Sequence, residues 1–254
     1  MGYLVGDCLL AAGFLSYMGP FLSQYREDLM DKIWLPQVRK LSIPCNPEFK
    51  FSTFLSKPTQ VREWNIQGLP TDLFSTENGV IVSRGARWPL MVDPQAQAIK
   101  WVKNMEKKQG LTIFDLQTPD YIRQLEQCIQ LGRPCLCQNI KEDLDPSLTP
   151  VLTKSIKKLG GSWYLKLGDR EVEYNHNFRF YMTTKLSNPN YSPEVSSKAN
   201  IINFAVKEQG LEAQLLGIVV RNEKAELEED KDRLVLSIAA NKNKLIELED
   251  QILK

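Results

Sequence analysis

The residues best placed by type and spacing to do chemistry lie between Leu90 and Lys100. An apolar run, Trp88-Pro89-Leu90-Met91-Val92, reads as a buried strand stopped by Asp93-Pro94, and a helical pattern follows over residues 95–108. A strand, loop and helix start in that order is where a nucleotide-binding α/β domain places its phosphate loop. Such a loop needs glycines so that backbone N–H groups can surround phosphates, a lysine for the outer phosphates and a hydroxyl for Mg²⁺. The residues present are Asp93-Pro94-Gln95-Ala96-Gln97-Ala98-Ile99-Lys100. There is no glycine among them, Asp93 would repel phosphate, and Pro94 removes a donor. Counting from Asp93, the lysine position holds Ile99, and G-x-x-x-x-G-K occurs nowhere in the chain.

The end of the apolar run Cys135-Leu136-Cys137 is the second place to look. Hydrolysis of a triphosphate wants an acid there for the metal and an adjacent acid to activate water. Gln138-Asn139 stand there instead; amides can hydrogen-bond but neither supply the charge nor take the proton. Two chemical deletions at one topological place argue against catalysis, with residual nucleotide binding as the alternative. Other constellations are thin. The single histidine, His176, excludes a zinc site built on two or three histidines, and no G-x-S-x-G elbow accompanies it. The five cysteines, Cys8, Cys45, Cys128, Cys135 and Cys137, form no C-x-x-C pair and read as buried reduced thiols. Lys154, Lys157 and Lys158 read as a solvated helix face. The aromatics from Trp163 to Tyr181 read as core and cross-strand pairs rather than a base-stacking platform.

The elements that would position these residues alternate. Strand patterns at 88–92, 111–116 and 135–140 are separated by helix patterns at 95–108 and 119–131, with Gly132 closing the second. That spacing argues a parallel sheet with crossover helices. Residues 147–158 read as a helix ended by Gly160-Gly161, and Gly168-Asp169 as the turn of a β-hairpin over 163–174. Strands at 178–184 and 201–206 complete a five-stranded sheet. Upstream, residues 3–17 read as an apolar helix, Pro20 as the first turn of a second helix reaching Arg39, and Pro58–Ile66 as a third. A further short helix is expected to end raggedly at Asn78-Gly79.

Composition sets bounds on all of this. The 254 residues are 43% hydrophobic and 25% charged, with 32 Lys+Arg against 31 Asp+Glu, so wholesale disorder and a nucleic-acid-binding basic field are both excluded. The uncharged stretch 8–25 follows Asp7 and contains Gly13, Ser16, Gly19, Pro20, Ser23 and Gln24, which fits a buried helix pair better than a signal peptide or a membrane span. Met1-Gly2 lacks the Ser or Thr at position 6 that myristoylation wants. From Leu227 the pattern is a heptad, with Lys231, Ile238, Leu245 and Ile252 on one seam position and Leu227, Leu234, Asn241 and Leu248 on the other. Residues 222–254 carry 6 basic and 9 acidic side chains, and the seam reaches Lys254 uncapped, which reads as a cut through a coiled-coil hairpin, with a terminal helix lying on its own domain as the alternative.

Four stretches make a family recognisable: GLPTDLFSTENGVIV (68–82), RWPLMVDPQAQAIKWVKNME (87–106), NFRFYMTTKLSNPNYSPEV (177–195) and GLEAQLLGIVVRNEKAELEEDKDRLV (210–235). They resemble the fifth AAA+ module of dynein heavy chains, the axonemal type most closely. GDCLLAAGFLSYMGPFLSQYRE (6–27) resembles the segment that leaves the microtubule-binding stalk and enters that module. The resemblance implies an α/β AAA+ (P-loop NTPase-like) large subdomain with a five-stranded parallel sheet, a β-hairpin insert and a long C-terminal coiled-coil helix. It implies three segments: 1–41 from the stalk, 42–209 the AAA+ subdomain, and 210–254 the first helix of the buttress.

By position, Asp93, Pro94, Ile99 and Lys100 then fall at Walker A, Gln138 and Asn139 at Walker B, and Thr183 and Thr184 at sensor I. The family's fifth module lacks ATPase activity, so no cofactor is expected here, with ATP and Mg²⁺ bound by other modules of the parent chain. Implied partners are the neighbouring modules, the stalk and the linker of the same chain, and the microtubule through the parent, with neither nucleic acid nor membrane. The implied location is the cytoplasm and cytoskeleton, at the ciliary axoneme.

Overall fold

The structure, a computed structural model, describes residues 2–206 and 208–224 and, beyond them, positions 226, 230, 233, 234, 237, 241 and 244. Helix α1 (Leu4–Tyr17) buries Leu10, Ala11 and Phe14 and ends at the break expected at Gly19-Pro20. Pro20 sits in the turn rather than in the next helix, which begins at Ser23 with Leu22 extended before it. That helix is α2 (Ser23–Glu27), a π-helical stretch (Asp28–Trp34) and α3 (Leu35–Lys40) in succession. Short helices α4 (Phe51–Leu55) and α5 (Pro58–Ile66) follow, the latter with its proline in the first turn.

Helix α6 (Leu73–Arg84) corrects one expectation: it runs straight through Asn78-Gly79. The Asp72 carboxylate caps it by accepting from the Ser75 N–H at 2.9 Å. Gly79 is needed for close packing rather than for a turn, since a Cβ there would meet Leu69 at 2.9 Å and Trp64 at 3.0 Å.

The sheet is built from β1 (Trp88–Val92), β2 (Thr112–Asp115), β3 (Cys135–Gln138), β7 (Phe180–Thr184) and β8 (Ala199–Asn203), with α7 (Gln97–Met105) and α8 (Tyr121–Leu131) as crossovers. Its order is β2-β3-β7-β1-β8, all parallel. Between β3 and β7 lie α9 (Thr149–Leu152) and a separate antiparallel sheet of β4 (Ile156–Leu159), β5 (Ser162–Leu167) and β6 (Arg170–Glu173). Here the second correction falls: the helix expected over 147–158 is one turn, and its remainder is a strand. Lys154 adopts the left-handed conformation (φ 50°), which stops the helix, and Gly160 and Gly161 turn the chain so that Ile156 pairs with Leu165. The expected hairpin is present as β5 and β6, turning at Gly168-Asp169, and β4 adds a third strand to it. Helices α10 (Pro193–Lys198) and α11 (Glu208–Glu223) complete the described elements.

Both faces of the sheet are covered, which is why its strands read as continuous apolar runs. Leu90, Cys135, Cys137, Phe180 and Met182 face one cluster with α8 and the insert. Met91, Leu136, Tyr181 and Ile202 face the other, with α1, α6 and α7. Cys135 and Cys137 share a face as strand periodicity requires. The second cluster also takes in Phe14, Met30 and Val38, so its packing runs across position 41.

Gly19 brings the turn after α1 close against β8 of the sheet. A Cβ on it would fall against the Ile201 carbonyl oxygen. Gly19→Ala is expected to destabilise the fold by about 1–3 kcal/mol, the range of an overpacked core site, read as a lower urea midpoint at unchanged slope.

Candidate functional site

The carboxyl ends of the central strands carry the residues singled out in the sequence. β1 ends in Val92, level with Thr184 of β7 and with Asn203 of β8. The Asp93 N–H extends this ladder by donating to the Thr184 carbonyl at 2.9 Å. The chain then turns through Ala96, which takes the left-handed conformation at φ 58°, and enters α7. The Asp93 side chain turns with it. Its carboxylate accepts the Gln97 N–H on Oδ1 at 2.8 Å and the Ile99 N–H on Oδ2 at 2.9 Å, and Asp93 is fully buried.

This corrects the simple picture of Asp93 as a charge facing an empty loop. The backbone donors at the start of α7 converge on an anion, and that anion is the chain's own carboxylate. The electrostatics are balanced between two opposed causes. Burial pushes the Asp93 carboxyl above its ordinary value, while the N–H groups of Ile99, Gln97 and Ala98 pull it down. A phosphate entering here would meet donors already taken and a like charge. Pro94 offers no N–H, Ile99 packs at the edge of the apolar cluster, and Lys100 is exposed. The residues do not fit a bound triphosphate.

At the end of β3, Gln138 pairs in register with Asp115 of β2. Asn139 is left-handed (φ 56°) and donates its side-chain amide to the Asp115 carboxylate at 2.7 Å, away from the β1 loop. Thr183 and Thr184 are both buried. The Thr184 hydroxyl accepts from the Leu186 N–H at 3.2 Å, and the Thr183 carbonyl accepts from the Ile140 N–H at 3.0 Å. The three groups thus lie at one edge of β3, β7 and β1, and the side chains of Asp93, Asn139 and Thr184 are each engaged with their own neighbourhood. The Thr183 hydroxyl has no hydrogen-bond partner among the described residues. No group of three or more His, Cys, Asp or Glu among the described residues is arranged to hold a metal.

His176 lies edge-on between Trp163 and Tyr174, at 5.7 Å from each ring. Four of the cysteines are buried and Cys8 is exposed, against the expectation for that one. Hydrogen bonding from Cys135 draws the Cys128 thiol down to about 6, and burial drives Cys135 well up.

Sequence reasoning missed the polar side chain with the most hydrogen bonds among the described residues. Arg26, 2% exposed, donates to the carbonyls of Met18, Phe21 and Gly19, to the Asn78 side chain and to Glu77. Its guanidinium carbon lies 4.4 Å from the Phe74 ring centroid. Burial lowers its pKa to about 10 and raises that of Glu77. The one local hint was an arginine closing an uncharged run of helix-forming sequence.

Comparison with known proteins agrees on a single family. The family model described as the ATP-binding dynein motor region matches residues 62–254, and that of the microtubule-binding stalk of the dynein motor matches residues 2–38. Dynein axonemal heavy chain 2 of Mus musculus is 65% identical over 254 residues, covering 100% of this chain and 6% of its own length. Dynein-1-beta heavy chain, flagellar inner arm I1 complex, of Chlamydomonas reinhardtii is 57% identical over the same 254 residues, again 6% of its length. Dynein axonemal heavy chain 6 of Homo sapiens is 47% identical over 251 residues, 99% of this chain and 6% of its own. The chain therefore spans a small part of the relatives it matches.

Asp93→Ala leaves the α7 donors without their internal acceptor. A loss of about 1–3 kcal/mol is expected from the unpaired buried N–H groups, measured by chemical unfolding. Asp93→Asn, which keeps an acceptor oxygen, should lose less.

Proposed function

This chain belongs to the dynein heavy-chain family, as a fragment of its motor region with an AAA+ large-subdomain fold, and we propose that it is a non-catalytic module that carries force. The parent chain hydrolyses ATP at other modules, where ATP and Mg²⁺ bind. This module passes the resulting movement to a microtubule-binding stalk, at the ciliary axoneme. Its partners are the neighbouring AAA+ modules, the stalk and the linker of the same heavy chain. Residues 1–41 lead in from the stalk, 42–209 form the degenerate fifth AAA+ subdomain, and 210–254 begin the buttress.

One observation carries the non-catalytic reading: the Asp93 carboxylate already holds the N–H groups of Gln97 and Ile99 that a phosphate would need. The amides Gln138 and Asn139 add to it, since neither can hold a metal or take a proton from water. Stiffness is what a force-bearing body requires, and a parallel sheet packed on both faces supplies it.

Titration calorimetry of the chain with Mg·ATP tests this. No heat of binding is the expected result. Saturable binding in the micromolar range would favour a module that still binds ATP for regulation, and turnover would overturn the reading.

The heptad seam lies mostly outside the described residues; of its members, Leu234 and Asn241 are described, and their backbones are helical. Lys231 and Asn241 interrupt an otherwise apolar seam, the pattern that fixes register at a cost in stability. Replacing both with Leu in the whole motor should raise the melting temperature of the arm and shift microtubule affinity. Unchanged stepping and affinity would remove the arm from the mechanism.

A further inference from the structure

Four polar groups from three separate segments close into a ring beneath the N-terminal helices. Arg26 Nη2 donates to the Gly19 carbonyl at 3.0 Å and to Asn78 Oδ1 at 2.7 Å. Asn78 Nδ2 donates to the Asn203 carbonyl at 2.8 Å, and the Asn203 N–H returns to the Gly19 carbonyl at 2.9 Å. The ring thus joins the α1–α2 turn, the middle of α6 and the last residue of β8. Arg26 and Asn78 are both buried, so the bonds are made where water does not compete.

The remaining donors of the guanidinium are also used. Nε reaches the carbonyls of Met18 and Phe21, each at 3.0 Å, and Nη1 reaches Glu77 Oε2 at 3.2 Å. Around the ring the same two surfaces are stitched again. Asn200 donates to the Leu15 carbonyl at 3.1 Å, and Arg87 to the Ser16 carbonyl at 2.6 Å. Gly19 permits the approach, because any side chain there would strike β8.

The strand end held by this ring leads at once into the C-terminal arm. The Phe204 N–H bonds to the Val92 carbonyl at 2.9 Å, and the Ala205 N–H to the Asn203 side chain at 2.8 Å. The Val206 N–H bonds to Gln95 Oε1 at 3.2 Å, and α11 begins at Glu208. Gln95 belongs to the loop between β1 and α7 that Asp93 holds fixed. The loop that would carry phosphate in an active module is here bonded to the root of the arm.

We propose that the Arg26–Gly19–Asn78–Asn203 ring is a coupler: it makes the α1–α2 turn and the segment 203–206 one rigid body, so that displacement of the N-terminal helices is delivered to the base of α11. It rests on the functional reading above only for the origin of that displacement; the coupling itself is a property of this chain.

Hydrogen–deuterium exchange of the chain, read by mass spectrometry, tests it. Asn78→Ala breaks the ring at two bonds while leaving Arg26 bound to Gly19 and Glu77. Glu77→Gln is the control, because it spares all four members. In the Asn78→Ala chain, amides of 203–206 and of the 19–26 turn should exchange faster together, by about tenfold or more for the loss of buried bonds. The Glu77→Gln chain should leave both segments protected. Faster exchange confined to α6 would overturn the coupler, as would an unchanged 203–206. Should Asn78→Ala not fold, Arg26→Lys is read in its place; lysine reaches Gly19 or Asn78 but not both in a fixed plane, and the same paired loss of protection is expected. No nucleotide enters this measurement. A failed coupler leaves the titration result standing, and turnover of Mg·ATP would sink the functional reading while leaving the coupler intact.

Discussion

A carboxylate held by backbone N–H groups at the start of α7 sets the character of the whole site. Helix starts expose donors that need an acceptor, and burial makes leaving them empty costly. In this chain the acceptor is Asp93, the residue that follows β1, which takes the N–H groups of Gln97 and Ile99. That solution makes the loop a closed structural turn, with Ala96 in the left-handed conformation and no open face of donors. Once the cradle is filled from within, Gln95 is left to bond the segment that leaves β8. The same edge of the sheet that would serve a ligand serves the chain's own connections.

Buried charge is used in the same way elsewhere. Arg26 spends its donors on three carbonyls, an amide and a carboxylate, so that five groups from two regions of sequence depend on one side chain. Glu106, fully buried, accepts from the Tyr181 hydroxyl at 2.6 Å and from Arg179 at 3.2 Å at the opposite edge of the sheet. A buried ion in such a setting adds little net stability but strongly disfavours any arrangement that strands it. These residues therefore act as fasteners, fixing how helices sit on the sheet. Apolar packing, which tolerates sliding far better, supplies most of the cohesion.

Much of the fold was legible because its signals are local. The strands at 88–92 and 112–115 and the helices that follow them are marked by apolar runs, helical spacing and Gly110 or Gly132 at the stops. The errors have local causes too. Asn78-Gly79 looked like a breaker, yet both residues are used for tight packing and a buried amide inside α6. Residues 147–158 carried a helical pattern, but the helix ends at Leu152, Lys154 turns left-handed, and Ile156 finds its partner in Leu165, nine residues further along the chain. Strand pairing is a contact across sequence, and periodicity within one segment does not contain it.

The sequence by itself determined the absence of phosphate-loop glycines and of paired acids, the parallel character of the sheet, and the family through four long motifs. These depend on residue identity and spacing along the chain, which no folding step alters. Only the tertiary structure decided what Asp93 does with its charge, that Asn139 turns to Asp115, and that Arg26 links the N-terminal helices to α6 and to the turn beside β8. Each of those outcomes rests on where an oxygen lies relative to an N–H from another segment. Hydrogen bonds act over about 3 Å, a scale that spacing in sequence does not specify.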